Sequence, residues 1–113
     1  MRDFLYVKDA VEMTLHFAGD ANGAKASGLF NLGSGEANTW LALTHALFAA
    51  VGREPRIDFI DMPEALRGKY QYFTQADIGK LRGSGYARPV TPLRESVRDY
   101  VQGYLATGRR LGD

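Results

Sequence analysis

The 113-residue chain has no cysteine, which removes disulfide frameworks, thiolate metal sites and cysteine nucleophiles together and fits a reducing compartment. It also has no block of like charge. Fourteen basic residues are dispersed among thirteen acids for a formal net charge of +1, so the electrostatic footprint of a nucleic-acid partner is missing. No apolar run reaches the length of a bilayer span, since Leu41 to Val51 is interrupted by Thr44 and His45. Nor do Arg2 and Asp3 lead into the apolar core of a signal peptide. These absences set the expectation of a cytoplasmic protein with no nucleic-acid and no membrane partner. There is no internal repeat, low-complexity tract or long linker, so one domain over residues 1–113 is expected. What is present, 45% hydrophobic and 24% charged residues, is the composition of an ordinary globular domain.

The patterning reads as α/β, with short strands alternating with about four to five helices. A strand-like Phe4 to Val7 precedes Asp9 and Glu12, spaced as a capping box, and a helix over Ala10 to Ala18. That helix carries two apolar stripes, Val11, Leu15 and Ala18 against Ala10, Met13 and Phe17, as expected of a helix between two layers. A short strand over Gly28 to Leu32, a glycine turn and a helix from Trp40 to Val51 capped by Thr39 form the next unit. Pro55 and Pro63 bracket a second expected strand, Ile57 to Met62, with one helical turn over Glu64 to Arg67. Thr74 with Asp77 is spaced to cap a short helix through Arg82, and Thr91 with Pro92 to open an amphipathic last helix bearing Leu93, Val97, Tyr100, Val101, Tyr104 and Leu105.

Several places invite chemistry. The loop Asn31 to Asn38 has Gly33 and Gly35 where a dinucleotide fingerprint begins, but Asn38 holds its third glycine place, which favours a plain tight turn. Asp58, about twenty residues on, sits inside the expected strand and not at its end. His16 and His45 lack a second ligand at helical spacing, Ser34 lacks a nucleophile elbow, and Asp58 and Asp61 face opposite sides of a strand. The stretch Arg67 to Phe73 is richer: Arg67, Lys69, Tyr70 and Tyr72 suit a loop that grips a phosphorylated ligand. The same residues equally suit a basic surface loop with two half-buried tyrosines. Arg2 and Asp3 are open in the same way, as a salt-bridged terminus or as half of a site.

RDFLYVKD before a helix, followed by GLFNLGSGE, is similar to the region after the sugar-binding insert of extended short-chain dehydrogenases/reductases. LRGKYQYFTQADIGKLRGSGY narrows this, resembling the carboxy-terminal region of ADP-L-glycero-D-manno-heptose 6-epimerases. The resemblance runs from Arg2 to about Leu105. It implies the substrate-binding part of a bacterial enzyme of lipopolysaccharide inner-core synthesis, which inverts C6 of an ADP-heptose through a transient keto sugar on tightly held NADP. It places the substrate-contacting arginine at Arg2 and the substrate-contacting tyrosine at Tyr70. Lys69 stands where some relatives have arginine, and Arg67 completes the basic loop.

The departures are as informative. The Rossmann half and its glycine fingerprint are missing, as is the Y-x-x-x-K pair: Ala10, Thr74, Ala76, Val90, Tyr104 and Gly108 stand four after the six tyrosines. No catalytic, cofactor-binding or metal residue is therefore expected here, NADP being implied for the parent enzyme alone. The start within RDFLYV suggests a piece of a longer protein. Two other readings stay open, a free-standing nucleotide-sugar binding module and a fragment that only packs against another protein. The spare stripe of the first helix leads to the expectation of a homo-oligomer, with Val11 and Leu15 or Met13 and Phe17 at the contact.

Overall fold

Helices form in this chain where apolar spacing calls for them, whereas strands form only where a partner lies beside them. The computed structural model describes residues 1–19 and 26–110. These make a mixed α/β arrangement of four α-helices and one two-stranded sheet. Strand β1 (Arg2–Asp3) pairs antiparallel with β2 (Ala37–Asn38), Arg2 opposite Asn38 and Asp3 opposite Ala37. The helices are α1 (Val7–Ala18), α2 (Trp40–Ala50), α3 (Gly79–Gly83) and α4 (Leu93–Tyr100). A single 3-10 turn covers Glu64–Leu66, and α4 runs on into a π-helical turn over Val101–Leu105.

Helix α2 shows the local logic best. The Thr39 hydroxyl accepts from the Ala42 N–H at 3.0 Å and satisfies one of the unpaired donors of the first turn. At the other end Gly52 takes φ +66°, which lets its N–H reach the Ala49 carbonyl and the Arg53 N–H reach that of Phe48, a Schellman stop. Between the caps Ala46 and Ala50 face Val97 and Val101 of the last helix, with Leu43 and Leu93 packed at the margin. The Gln102 amide donates to the Ala50 carbonyl at 2.9 Å, tying the two helix ends.

A second core lies apart from the first: Met13, Leu81 and Tyr86 are buried, with Leu5, Phe17, Ile78 and Val90 against them. Met13 and Leu81 are fully enclosed, and each contributes about 1.5–3 kcal/mol by that burial. Two small cores leave the molecule flat. Its radius of gyration is 17.0 Å, against roughly 13 Å for a compact domain of this length.

Several expectations from the sequence fail here. Phe4 to Val7 is not a strand; α1 begins at Val7, three residues before the expected Ala10. Gly28 to Leu32 and Ile57 to Met62 are irregular, and Leu29, Phe59 and Ile60 stand 93%, 82% and 87% exposed. An isolated extended segment gains no ladder of hydrogen bonds, and among the described residues nothing pairs with either one. Asp9 does not cap α1. It lies within the helix, 8% exposed, and its carboxylate accepts from the N–H and the hydroxyl of Thr91, both at 2.8 Å. Thr91 thus holds the approach to α4 without capping it. Likewise Thr74 caps nothing; Asp77 accepts from the Gly79 N–H at 2.8 Å, and the short helix starts only there. Of the two stripes on α1, Met13 and Phe17 are covered, while Val11 and Leu15 are 47% and 57% exposed beside an exposed Val7.

Candidate ligand site around Arg2 and Tyr70

Adjacent residues of an extended chain point to opposite sides, and β1 uses this to separate two tasks. Asp3 turns inward. Its carboxylate accepts from the Ser34 N–H at 2.7 Å, the Ser34 hydroxyl at 2.6 Å, and the Gly35 and Ala76 N–H groups at 3.0 Å. The Asp3 N–H meanwhile donates to the Thr74 hydroxyl oxygen at 3.2 Å. Three distant segments, 1–3, 33–37 and 74–76, therefore close on one carboxylate. Burial alone would raise the Asp3 pKa, but the donors from Ser34, Ala76 and Gly35 outweigh it and hold the carboxyl below its ordinary value.

The glycines of the loop serve this closure. A Cβ at Gly33 would lie 2.3 Å from the Ala76 Cβ and 2.8 Å from an Asp3 carboxylate oxygen, and Gly35 has φ +76°. The amides that a phosphate would need thus already face an anion, the chain's own Asp3. The loop does not fit a dinucleotide phosphate, and the tight turn is what the structure contains. Asp58 is exposed, away from that loop's hydrogen bonds.

Arg2 turns outward. Its guanidinium lies over the Tyr70 ring, 5.3 Å from the centroid, and donates to the Gln71 side-chain oxygen at 3.0 Å. Tyr70 stacks edge-on with Tyr72 at 5.2 Å, and its hydroxyl oxygen accepts from the Trp40 indole N–H at 2.8 Å. Trp40 in turn meets Phe4 edge-on at 5.1 Å. A cation and aromatic rings, with donor groups directed outward, form a surface suited to an acceptor-rich, planar or phosphorylated ligand.

Of the residues singled out in the sequence, Arg2 and Tyr70 come together. Arg67 does not join them; it pairs with Glu64 at 3.1 Å in an exposed ion pair. Lys69 is exposed, its N–H donating to the Leu66 carbonyl within the turn. Trp40, which sequence reasoning placed only in an apolar helix, belongs to the site. Its polar nitrogen and its place at the first turn of α2 were the available signals. The larger concavities lie elsewhere. One of about 880 Å³ runs between α2 and α4 past His45, Arg53 and Arg94, and one of about 640 Å³ adjoins Asp3, Gln71 and Phe73. The Arg2 and Tyr70 site is an open face beside the latter.

A further polar cluster also escaped the sequence reading. The Tyr6 hydroxyl and the Lys8 ammonium both donate to Asp99, Lys8 at 2.7 Å, and Lys8 lies 5.1 Å from the Tyr104 ring centroid. Burial and the Asp99 carboxylate push the Tyr6 phenol up to about 12. The hydrogen bond to Asp99 raises Lys8 further above its usual range, and the Lys8 and Tyr6 donors lower Asp99. This cluster ties the start of α1 to α4. His16 packs between Phe17 and Tyr86 with its Nε2 3.0 Å from the Ser84 hydroxyl oxygen, and among the described residues no three His, Asp or Glu side chains converge as a metal site. No helix among them is long and apolar enough to cross a membrane.

The described residues form a mixed α/β piece with a cationic, aromatic face around Arg2 and Tyr70. Comparison with known proteins makes this specific: the chain is homologous to the carboxy-terminal part of ADP-L-glycero-D-manno-heptose-6-epimerases. It is 50% identical over 106 residues to the protein of that name from Nitratidesulfovibrio vulgaris strain Hildenborough, and 49% identical to that of strain DP4, with 94% of this chain and 32% of each relative covered. To the Fusobacterium nucleatum protein it is 43% identical over 112 residues, covering 94% of this chain and 33% of the relative. The chain thus spans about a third of the length of the curated relatives it matches. No family model matches it.

Proposed function

We propose that this chain is the substrate-binding region of an NADP-dependent ADP-L-glycero-D-manno-heptose 6-epimerase with the fold of an extended short-chain dehydrogenase/reductase. In this reading it acts in lipopolysaccharide heptose synthesis in the cytoplasm. The observation that carries the reading is the Arg2 guanidinium seated on the Tyr70 ring at an open face, in a chain half identical to proteins of that name. Arg2 engages diphosphate or ribose oxygens of the ADP-sugar, Tyr70 supplies its ring or hydroxyl, and Lys69 and Arg67 provide a positive rim. The chain alone neither inverts ADP-heptose nor holds NADP, because it has no Y-x-x-x-K pair and its glycine loop is closed on Asp3.

Calorimetric titration with ADP tests the site. A charge-assisted hydrogen bond is worth about 1.5–3 kcal/mol, so Arg2→Ala should weaken ADP binding by about one to two powers of ten. Unchanged affinity in a folded Arg2→Ala protein would sink the assignment.

A second reading has its own observation, the uncovered Val7, Val11 and Leu15 face of α1. There the chain packs against another polypeptide surface, and on its own that surface is a second copy, giving a homo-oligomer.

A further inference from the structure

Trp40 is the single tryptophan of the chain. An indole N–H only donates, so in its 2.8 Å contact the Tyr70 hydroxyl oxygen is the acceptor and must direct its own proton elsewhere. Among the described residues no acceptor takes that proton. Arg2, on the face of the same ring, is also a pure donor, with one N–H committed to Gln71 at 3.0 Å and the rest of its fork uncommitted. Phe4 packs edge-on against the indole at 5.1 Å.

We propose that Trp40 is a positioning residue that turns the Tyr70 hydroxyl toward donating, so that Tyr70 and Arg2 together favour ligand oxygens that can only accept, as those of a diphosphate do. The proposal rests on the nucleotide-sugar reading above. A lone tyrosine hydroxyl could donate or accept and would rotate to suit either kind of ligand. With the indole on one lone pair, one acceptor direction is already filled and donation becomes the favoured role before the ligand arrives. Preorganised donors favour oxygens carrying negative charge over neutral hydroxyls that need an acceptor in return.

The single indole resonance in nitrogen-edited NMR reports the contact directly in the 113-residue chain. Tyr70→Phe should move that resonance to the position of an unpaired indole while the rest of the spectrum stays folded. In titrations, ADP should bind at least about tenfold more tightly than adenosine, which lacks the diphosphate. Trp40→Phe keeps a ring against Phe4 and removes the N–H; it should weaken ADP binding by about three- to tenfold and narrow the preference over adenosine. The double variant should lose no more than Tyr70→Phe alone, as coupling through one hydroxyl requires. Losses that multiply, or an indole resonance indifferent to Tyr70→Phe, would overturn the role given to Trp40 and leave the ligand assignment standing. No response to ADP in a folded chain whose indole resonance confirms the pair would overturn both.

Discussion

Arg2 and Asp3 are neighbours on one strand and both half-buried, yet one is saturated by internal donors and the other keeps donors to spare. Asp3 collects four donors from two distant segments, and the three backbone N–H groups among them would be left unpaired without it. Arg2 has one side-chain hydrogen bond and a ring to lie on. The difference separates what the fold needs from what a ligand needs. A charged group with every bond satisfied internally is a fastener, whereas one held in place with donors to spare is available for recognition.

The comparison breaks first at Asp3. Asp3→Ala orphans three backbone N–H groups and should destabilise the chain by about 3 kcal/mol, a large share of the stability of a small domain. Arg2→Ala should change stability by less than about 0.5 kcal/mol. Urea unfolding of both variants checks this, and equal losses would erase the distinction. Acid gives a second handle. Because the folded-state pKa of Asp3 is lowered, its contribution is complete above the ordinary value of 3.8 and is lost as pH falls through the lowered one. Asp99 acts in the same sense. An Asp3→Asn protein should therefore lose less stability than the native chain on acidification.

Asp3 and Asp9, which each tie distant segments together, were visible in the sequence as acids, and neither was readable as a fastener. Asp9 has the local spacing of a helix cap, but its partner Thr91 lies 82 residues away. Asp3 likewise binds a loop 31 residues on and a third segment 73 residues on. Spacing carries information about neighbours along the chain; the geometry that brings Ser34 and Ala76 to one carboxylate is tertiary. The cap that did read correctly, Thr39 at the start of α2, is purely local. The expected strands at Gly28 to Leu32 and Ile57 to Met62 fail for the complementary reason, since alternation describes a face without supplying the neighbour that completes it. Family resemblance singled out Arg2 and Tyr70 one by one, and only the fold brings them together and adds Trp40.

The covered and uncovered stripes of α1 repeat the contrast on a hydrophobic scale. Met13 is fully enclosed while Leu15, two residues on, is 57% exposed. If the exposed stripe is where chains meet, Leu15→Ser should weaken self-association about tenfold and leave the unfolding midpoint of the monomer nearly unchanged. Sedimentation over a concentration series measures this, and a native chain that stays monomeric at high concentration would remove the homo-oligomer from consideration.

A small loss is expected at Tyr6, whose phenol donates to Asp99 at a largely exposed junction. Exposure and the neighbouring Lys8 limit what this bond contributes, and Tyr6→Phe should cost under about 1 kcal/mol near neutrality. Its signature is in the alkaline range. Burial and then the Asp99 carboxylate raise the phenol from 10.0 to about 12 in the folded chain, so the folded state favours the protonated form. The stabilisation is fully present below the unfolded value and disappears as pH rises through the folded one, a window from 10.0 to about 12. Phenolate absorbance across that window should show a late-titrating group that Tyr6→Phe removes. Tyr86, also raised by its burial, remains in both proteins as an internal reference. If the titration curve loses an ordinary phenol instead, the contact with Asp99 does not persist in solution, and α1 is joined to α4 chiefly through Asp9 and Thr91.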